Sequence, residues 1–289
     1  MQVENKKRHK SVKIKQVLEA LERFAPLPLQ ESWDNAGLQI GLTEAEVSGA
    51  LLCLDVTEAI IDEAVAKGCN LVVSHHPLLF RGLKQVSDAT DVQRTVRKAI
   101  VNDVAVVSIH TNLDNARGGV NFKIAERLGL QRVHFGLEPV PNESSVLGGI
   151  SAENVASATP AEKGQWVMGE LPKPLVACDF VLYVKKQMDA ESAMCNQLLR
   201  RPISRVAICG GAGDFLIDEV IAHGADAFIT GEMHYHQYFG HEQQIQLCVI
   251  GHYESEHFTA ELLRDIIQRD CPGVRCEIAE TNTNPILYL

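Results

Sequence analysis

The sequence predicts an α/β fold with mixed sheets, arranged as two similar, interleaved α/β domains with a metal cleft between them. Three observations carry that expectation. Short apolar runs alternate with stretches of helical period, as strands covered by helices require. A block in the first half recurs in the second at one fixed offset. Two adjacent histidines, His75 and His76, stand where the apolar run Leu71, Val72, Val73 meets Pro77.

The elements follow in order. Ser11 is placed to cap a helix whose apolar residues Ile14, Val17, Leu18, Leu21 and Phe24 keep one face, and Pro26 and Pro28 end it. A turn-rich segment, Glu31 to Gly37, leads to a predicted strand over Ala50–Leu54, a helix over Glu58–Lys67 and a strand over Leu71–Ser74, which together make a β-α-β unit. A helix over Asp91–Val101 precedes a strand over Val104–Ile109, a polar loop from His110 to Gly119, and a helix beginning near Val120.

The repeat is read from identities. Ile61-Asp62-Glu63, Ala66, Gly68 and the strand Leu71–Ser74 match Ile217-Asp218-Glu219, Ala222, Gly224 and the strand Ala227–Thr230, always 156 residues later. Helix-glycine-strand junctions are common enough in α/β proteins for coincidence to be the competing explanation. A duplication predicts one domain from 12–132 plus 252–289 and a similar one from 133–251. The stretch from Asn142 to Pro174, with its Pro, Gly and Ser, is the expected irregular link.

Composition excludes several classes of function. With 27 basic against 37 acidic residues the net charge is −10, so the overall field repels polyanions and makes nucleic acid an unlikely partner. No segment approaches the length of a membrane span, and the basic N-terminus (Lys6, Lys7, Arg8, Lys10) is not followed by an apolar stretch, so a frayed tail on a soluble chain is expected. Eight cysteines without a Cys-x-x-Cys pair read as reduced and cytoplasmic.

Four clusters carry candidate chemistry. Neighbouring side chains of a strand point to opposite faces, so His75 and His76 can aim at one site only if the strand stops, and Pro77 supplies the stop. The alternative is a pair of polar residues hydrogen-bonded at a strand end. After the next strand, Asp114 is the candidate ligand and His110 a residue that orients a ligand or meets substrate, whereas an Asx-turn or helix cap is the simpler role for Asp114. His252 and Glu256 lie four apart and can share a helix face, with Glu256 able to bridge two ions; solvated acids at a helix start are the alternative. The last cluster, Thr230-Gly231-Glu232-Met233-His234-Tyr235-His236, offers Glu232 as a general base or as a carboxylate that orients a ligand, while His234 and His236 read as loop residues. Together His75, His76, Asp114, His252 and Glu256 exceed the needs of one catalytic ion and suit two divalent ions sharing a carboxylate. Three imidazoles and no thiolate favour Zn, Mn, Fe, Co or Ni over Mg.

Five ordered motifs, Trp33-Asp34-Asn35-Ala36-Gly37-Leu38-Gln39-Ile40-Gly41, Ser74-His75-His76-Pro77, His110-Thr111-Asn112-Leu113-Asp114, Thr230-Gly231-Glu232 and His252-Tyr253-Glu254-Ser255-Glu256, resemble the NIF-three-like family, labelled GTP cyclohydrolase 1 type 2 homologs. Ala36 stands where such proteins often have valine, and the large insertion of longer members is absent. The resemblance implies two similar α/β domains, a dinuclear metal centre held by His75, His76, Asp114, His252 and Glu256, and a ring-shaped homohexamer built from dimers. The activity it implies is a metal-dependent hydrolase that opens the guanine ring of GTP, with hydroxide attacking C8 and formate lost. Arg81, Lys84 and Arg117 are the candidate cations for a nucleotide's phosphates, helped by backbone N–H groups of Gly118-Gly119, though each can equally be a solvated charge. His110 or Glu232 would be the proton donor. A hydrolase of another small molecule, such as a phosphoester or cyclic amide, and a non-catalytic metal-binding ring that serves a partner are the alternatives.

Overall fold

The computed structural model describes residues 11–137 and 163–289. The basic segment Lys6 to Lys10 and most of the expected link from Asn142 to Pro174 lie outside the described residues. The chain divides into two compact units, 1–120 with 256–289 and 121–255. Among the described residues no helix is long and apolar enough to cross a membrane.

In the first unit, helix α1 (Ile14–Phe24) buries Ile14, Val17, Ala20 and Leu21, the face its apolar spacing defines. Ser11 does not cap it. Lys13 holds the N-cap position, and the Ser11 hydroxyl instead donates to Glu46 over 2.7 Å. Strands β1 (Gly37–Ile40), β2 (Ala50–Cys53), β3 (Leu71–Ser74) and β4 (Ala105–Ser108) follow, joined by α2 (Glu58–Ala66) and α3 (Asp91–Val101). Both helices begin as their sequences require: the Thr57 hydroxyl accepts from the Ile60 N–H and that of Thr90 from the Gln93 N–H. The sheet order is β1-β4-β3-β2-β11, with β11 (Cys276–Ile278) contributed by the chain's end; β1 alone runs antiparallel.

Strands β2, β3 and β4 are buried at every position, as parallel strands covered on both faces are. Leu51, Val72 and Val106 are register partners that form one row across the sheet, and α2 (Ile60, Ile61, Ala64) and α3 (Val96, Ala99) pack on that row. Each such aliphatic side chain contributes about 1.5–3 kcal/mol by leaving water. Helix α9 (Thr259–Asp270) packs against β2 and against α1.

Beyond β4 the expected polar loop contains a helical turn, α4 (Thr111–Asp114). It forms without apolar periodicity because tertiary bonds hold it: Asn112 donates to the Ala25 carbonyl over 2.7 Å and Asn115 to that of Leu29 over 2.9 Å. Helix α5 (Val120–Arg127) then carries the chain from the last residue of the first unit's opening segment into the second.

That unit contains β5 (Gln131–Phe135), β6 (Val167–Leu175), α6 (Ala177–Gln187), β7 (Met194–Cys195), β8 (Ile203–Ala212), α7 (Ile217–Ala222), β9 (Ala227–Glu232) and β10 (Gln246–Val249). Its sheet order is β5-β6-β8-β9-β10-β7, parallel through β8-β9-β10 and antiparallel elsewhere. The 156-residue offset holds in three dimensions. Ala50 pairs with Leu71 and Val206 with Ala227; Cys53 pairs with Ser74 and Cys209 with Thr230. The row Leu51–Val72 recurs as Ala207–Phe228, extended here by Met168 and Leu247. Gly68 and Gly224, which end the equivalent helices, both take the left-handed backbone that ordinary side chains avoid, at φ +64° and +73°. All eight cysteines are free thiols.

Candidate metal centre

Strand β3 ends at Ser74, and the next two residues carry the imidazoles. Their backbone stays tied to β2, His75 N–H to the Cys53 carbonyl and His76 N–H to the Leu54 carbonyl. The buried hydroxyls of Ser74 and its register partner Ser108 both donate to the His76 carbonyl, which fixes the bend before Pro77. The two rings therefore lie on the same side, with centroids 5.0 Å apart.

Each imidazole is oriented by its Nδ1. For fully buried His75 the partner is the Ile109 carbonyl at 2.8 Å, which makes Nδ1 the donor and turns Nε2 towards the carboxylates. That Nε2 is buried and makes no hydrogen bond, yet it sits 3.5 Å from Asp114 Oδ1 and 3.8 Å from Glu256 Oε1. For His76 the Nδ1 partner is Asp55 Oδ1 at 2.7 Å, while its Nε2 meets Glu256 Oε2 at 3.0 Å. His110 Nδ1 is held by Asp34 Oδ1 at 2.7 Å, and the same Asp34 carboxylate accepts from the Thr111 N–H at 3.1 Å. His110 lies with its ring 5.4 Å from that of His75 and 5.5 Å from that of His76.

Two sets of side chains in this unit each bring one donor atom per residue within 4.8 Å of the others: His75, His76 and His110, and His75, Asp114 and Glu256. A buried imidazole nitrogen that makes no hydrogen bond and faces two carboxylates is an arrangement that could hold a cation. The electrostatics agree. Burial and the neighbouring Glu256 carboxylate raise the Asp114 pKa against the opposing pull of His75. At His76 burial works against charge, but the bonds to Asp55 and Glu256 outweigh it and raise the pKa to about 10. Burial likewise opposes ionisation of Asp34, and the bonds from His110 and Thr111 overcome it, holding the carboxyl at about 2.

The remaining predicted residues are placed as follows. His252 opens the short helix α8 (His252–Glu256) and precedes Glu256 by one turn, so the expected shared face exists. Its Nδ1 meets Glu232 Oε1 at 2.9 Å, which places Glu232 beside the imidazole as an orienting carboxylate. Arg81, Lys84 and Arg117 are exposed. The Gly119 N–H donates to the Ala116 carbonyl over 3.0 Å, which removes that one group from the expected Gly118-Gly119 anion cradle. His234 is paired with Asp214 and exposed, in keeping with a loop role. Asp34 and Asp55 were not singled out as imidazole partners. Asp55 has a legible signal, since it lies two residues past the end of β2 as His76 does past β3.

A repeated α/β scaffold whose parallel strands end in histidines, ringed by carboxylates, defines a protein with a candidate metal site of mixed nitrogen and oxygen ligands. The chain belongs to the Duf34/NIF3 (NGG1p interacting factor 3) family, whose model matches residues 12–285. It is 32% identical over 248 residues to a GTP cyclohydrolase 1 type 2 homolog of Clostridium acetobutylicum, covering 85% of this chain and 86% of that one. A Campylobacter jejuni protein of the same description is 31% identical, covering 96% of this chain and all of its own. Among solved structures, a hypothetical protein of Staphylococcus aureus superposes with a TM-score of 0.83 at 27% identity, covering 97% of this chain and 100% of that one.

Proposed function

We propose that this chain is a dinuclear metal-dependent hydrolase of a small molecule, with ring opening of GTP the first reaction to test. The observation that carries the reading is the orphaned, buried His75 Nε2 facing the Asp114 and Glu256 carboxylates. His75, His76, Asp114, His252 and Glu256 would hold two divalent ions, drawn from Zn, Mn, Fe, Co or Ni by the imidazole-rich donor set. Bound there, such ions supply a water molecule acidified to near neutral pH.

The protein's own groups do the rest. Asp55 and the Ile109 carbonyl fix which nitrogen of His76 and His75 faces the site. His110, with Nδ1 held by the ionised Asp34, presents Nε2 as the atom that gives or takes a proton. Glu232 orients His252 and is the other candidate proton carrier. Arg81, Lys84 and Arg117, all exposed, are candidate cations for a phosphorylated substrate. GTP enters through the description of the relatives and the match of donor set to hydrolysis. A ring-shaped homohexamer in the cytoplasm completes the proposal.

The test is direct. Protein loaded with each metal in turn is incubated with GTP, and the product is oxidised to a fluorescent pterin; product is expected with at least one ion and is lost in His75→Ala. If no metal yields product, and a panel of phosphoesters and cyclic amides also stays intact, the catalytic reading is wrong and the centre serves binding or stability. Mass photometry of the purified chain tests the hexamer.

A further inference from the structure

We infer that Trp33, flanked by Phe80, offers a stacking platform for a flat heteroaromatic ring of the substrate, beside His110 at the rim of the candidate metal centre. The inference rests on the proposal of a small-molecule hydrolase and deepens it by naming a recognition surface. Both rings are exposed to an extent that apolar burial does not explain, 59% for Trp33 and 46% for Phe80. They are nevertheless arranged. The centroids are 5.9 Å apart at an interplanar angle of 60°, and each ring stands edge-on to His110, at 6.2 Å for Trp33 and 6.4 Å for Phe80.

The backbone beneath them is fixed from both sides. Asp34, next to Trp33, is buried in its bonds to His110 and Thr111. Asn35 donates to the Leu79 carbonyl over 2.6 Å, and the Leu79 N–H donates to Gln39 Oε1 over 3.1 Å, so the turn that carries Trp33 and the segment that carries Phe80 are tied together. Two aromatic rings held in place yet left open offer π-faces, and such faces bind planar bases regardless of their hydrogen-bonding edges. Arg81, the residue after Phe80, and Lys84 add exposed positive charge on the same segment, which suits a ring bearing phosphate. His110 links platform and centre, since its ring contacts both aromatics and both ligand histidines.

The chain supplies its own probe, because it has two tryptophans and the other, Trp166, is 2% exposed. In metal-loaded protein excited at the red edge of tryptophan absorption, acrylamide should quench the Trp33 component. Guanosine, adenosine or a pterin should then quench and shield that component, whereas inorganic tripolyphosphate should not. By equilibrium dialysis Trp33→Ala should weaken binding of the quenching ligand about tenfold, Trp33→Phe should retain most of it, and metal content should be unchanged in both. The platform is refuted if none of the three ring compounds quenches at millimolar concentration, if tripolyphosphate quenches equally, or if Trp33→Ala binds as tightly as the parent. Acrylamide protection of Trp33 without ligand would assign the rings to a contact between copies and would also refute it. Because binding and not turnover is read, failure of catalysis and failure of the platform are separate results.

Discussion

The ends of β3 and β9 occupy equivalent places in the two units, 156 residues apart and in matching strand register, yet they serve opposite purposes. Past β3 come His75 and His76; at the equivalent positions stand Gly231 and Glu232. A Cβ on Gly231 would lie 2.7 Å from the Gly211 carbonyl and from Ser255 Oγ, and 2.8 Å from the His252 Cα. The missing side chain thus lets the start of α8 seat directly on the strand end, where Ser255 Oγ accepts from the Gly211 N–H and donates to the His252 carbonyl. One copy of the scaffold displays imidazoles, and the other has a bare strand end on which the first residues of α8, from His252 to Ser255, are seated. The helical turns agree with this correspondence: α4, with Asp114, follows β4 as α8 follows β10, and the Ile109 N–H bonds the Ser74 carbonyl as the Ile250 N–H bonds that of Thr230. The two strand ends match in register but differ in what they carry: one is followed by the candidate imidazole ligands, the other by a glycine against which the start of α8 packs.

This contrast can be broken at either end. The largest effect is expected from His75→Ala, which should reduce metal affinity by more than the roughly 10- to 100-fold typical of losing an outer partner, read by elemental analysis after dialysis against a graded chelator. Gly231→Ala should leave the imidazoles intact but cost about 1–3 kcal/mol from overpacking, seen as a lower urea midpoint; an unchanged midpoint would show that α8 does not need the close approach.

Acidity offers a third handle. In metal-free protein His76 has a folded pKa of about 10, above its ordinary 6.5. Its stabilising contribution is therefore complete below pH 6.5 and lost as pH rises through about 10. Because a cation must displace that proton, metal affinity should climb across the same window. Urea midpoints of stripped parent and His76→Gln, followed with pH, should converge at the alkaline end; parallel curves would contradict the assignment. The smallest effect sharpens the comparison. Gly68→Ala and Gly224→Ala, at left-handed positions of the two copies, should each cost about 1 kcal/mol, and markedly unequal losses would mean that the junctions are not equivalent in energy.

Much of the first unit was legible because its parallel strands are unbroken apolar runs and its helices are long enough to show their period. Leu71–Ser74, Glu58–Ala66 and Asp91–Val101 emerge within a residue of where apolar spacing puts them, and the threonine caps of the two helices are seen only in the structure. Strand β1 was not legible: four residues opening on a glycine read as turn, and its strand character comes from pairing with β4, far along the chain. The turn α4 was hidden for the related reason that Asn112 and Asn115 bond to remote carbonyls. At the site, the ligand candidates could be picked out by residue type and strand-end position. Asp34 and Asp55 could not be matched to their imidazoles, because a carboxylate's partner depends on which strands lie side by side.

The hydrogen bond from His75 Nδ1 ends on a main-chain oxygen, that of Ile109, in the stretch that continues β4. No substitution at position 109 deletes a carbonyl, so the protonation pattern of this imidazole is inherited from strand alignment and is shielded from point mutation. Evolution can therefore retune the carboxylates around His76 and His110 one codon at a time, while the ring at the heart of the cluster changes its tautomer only if the sheet itself is rebuilt.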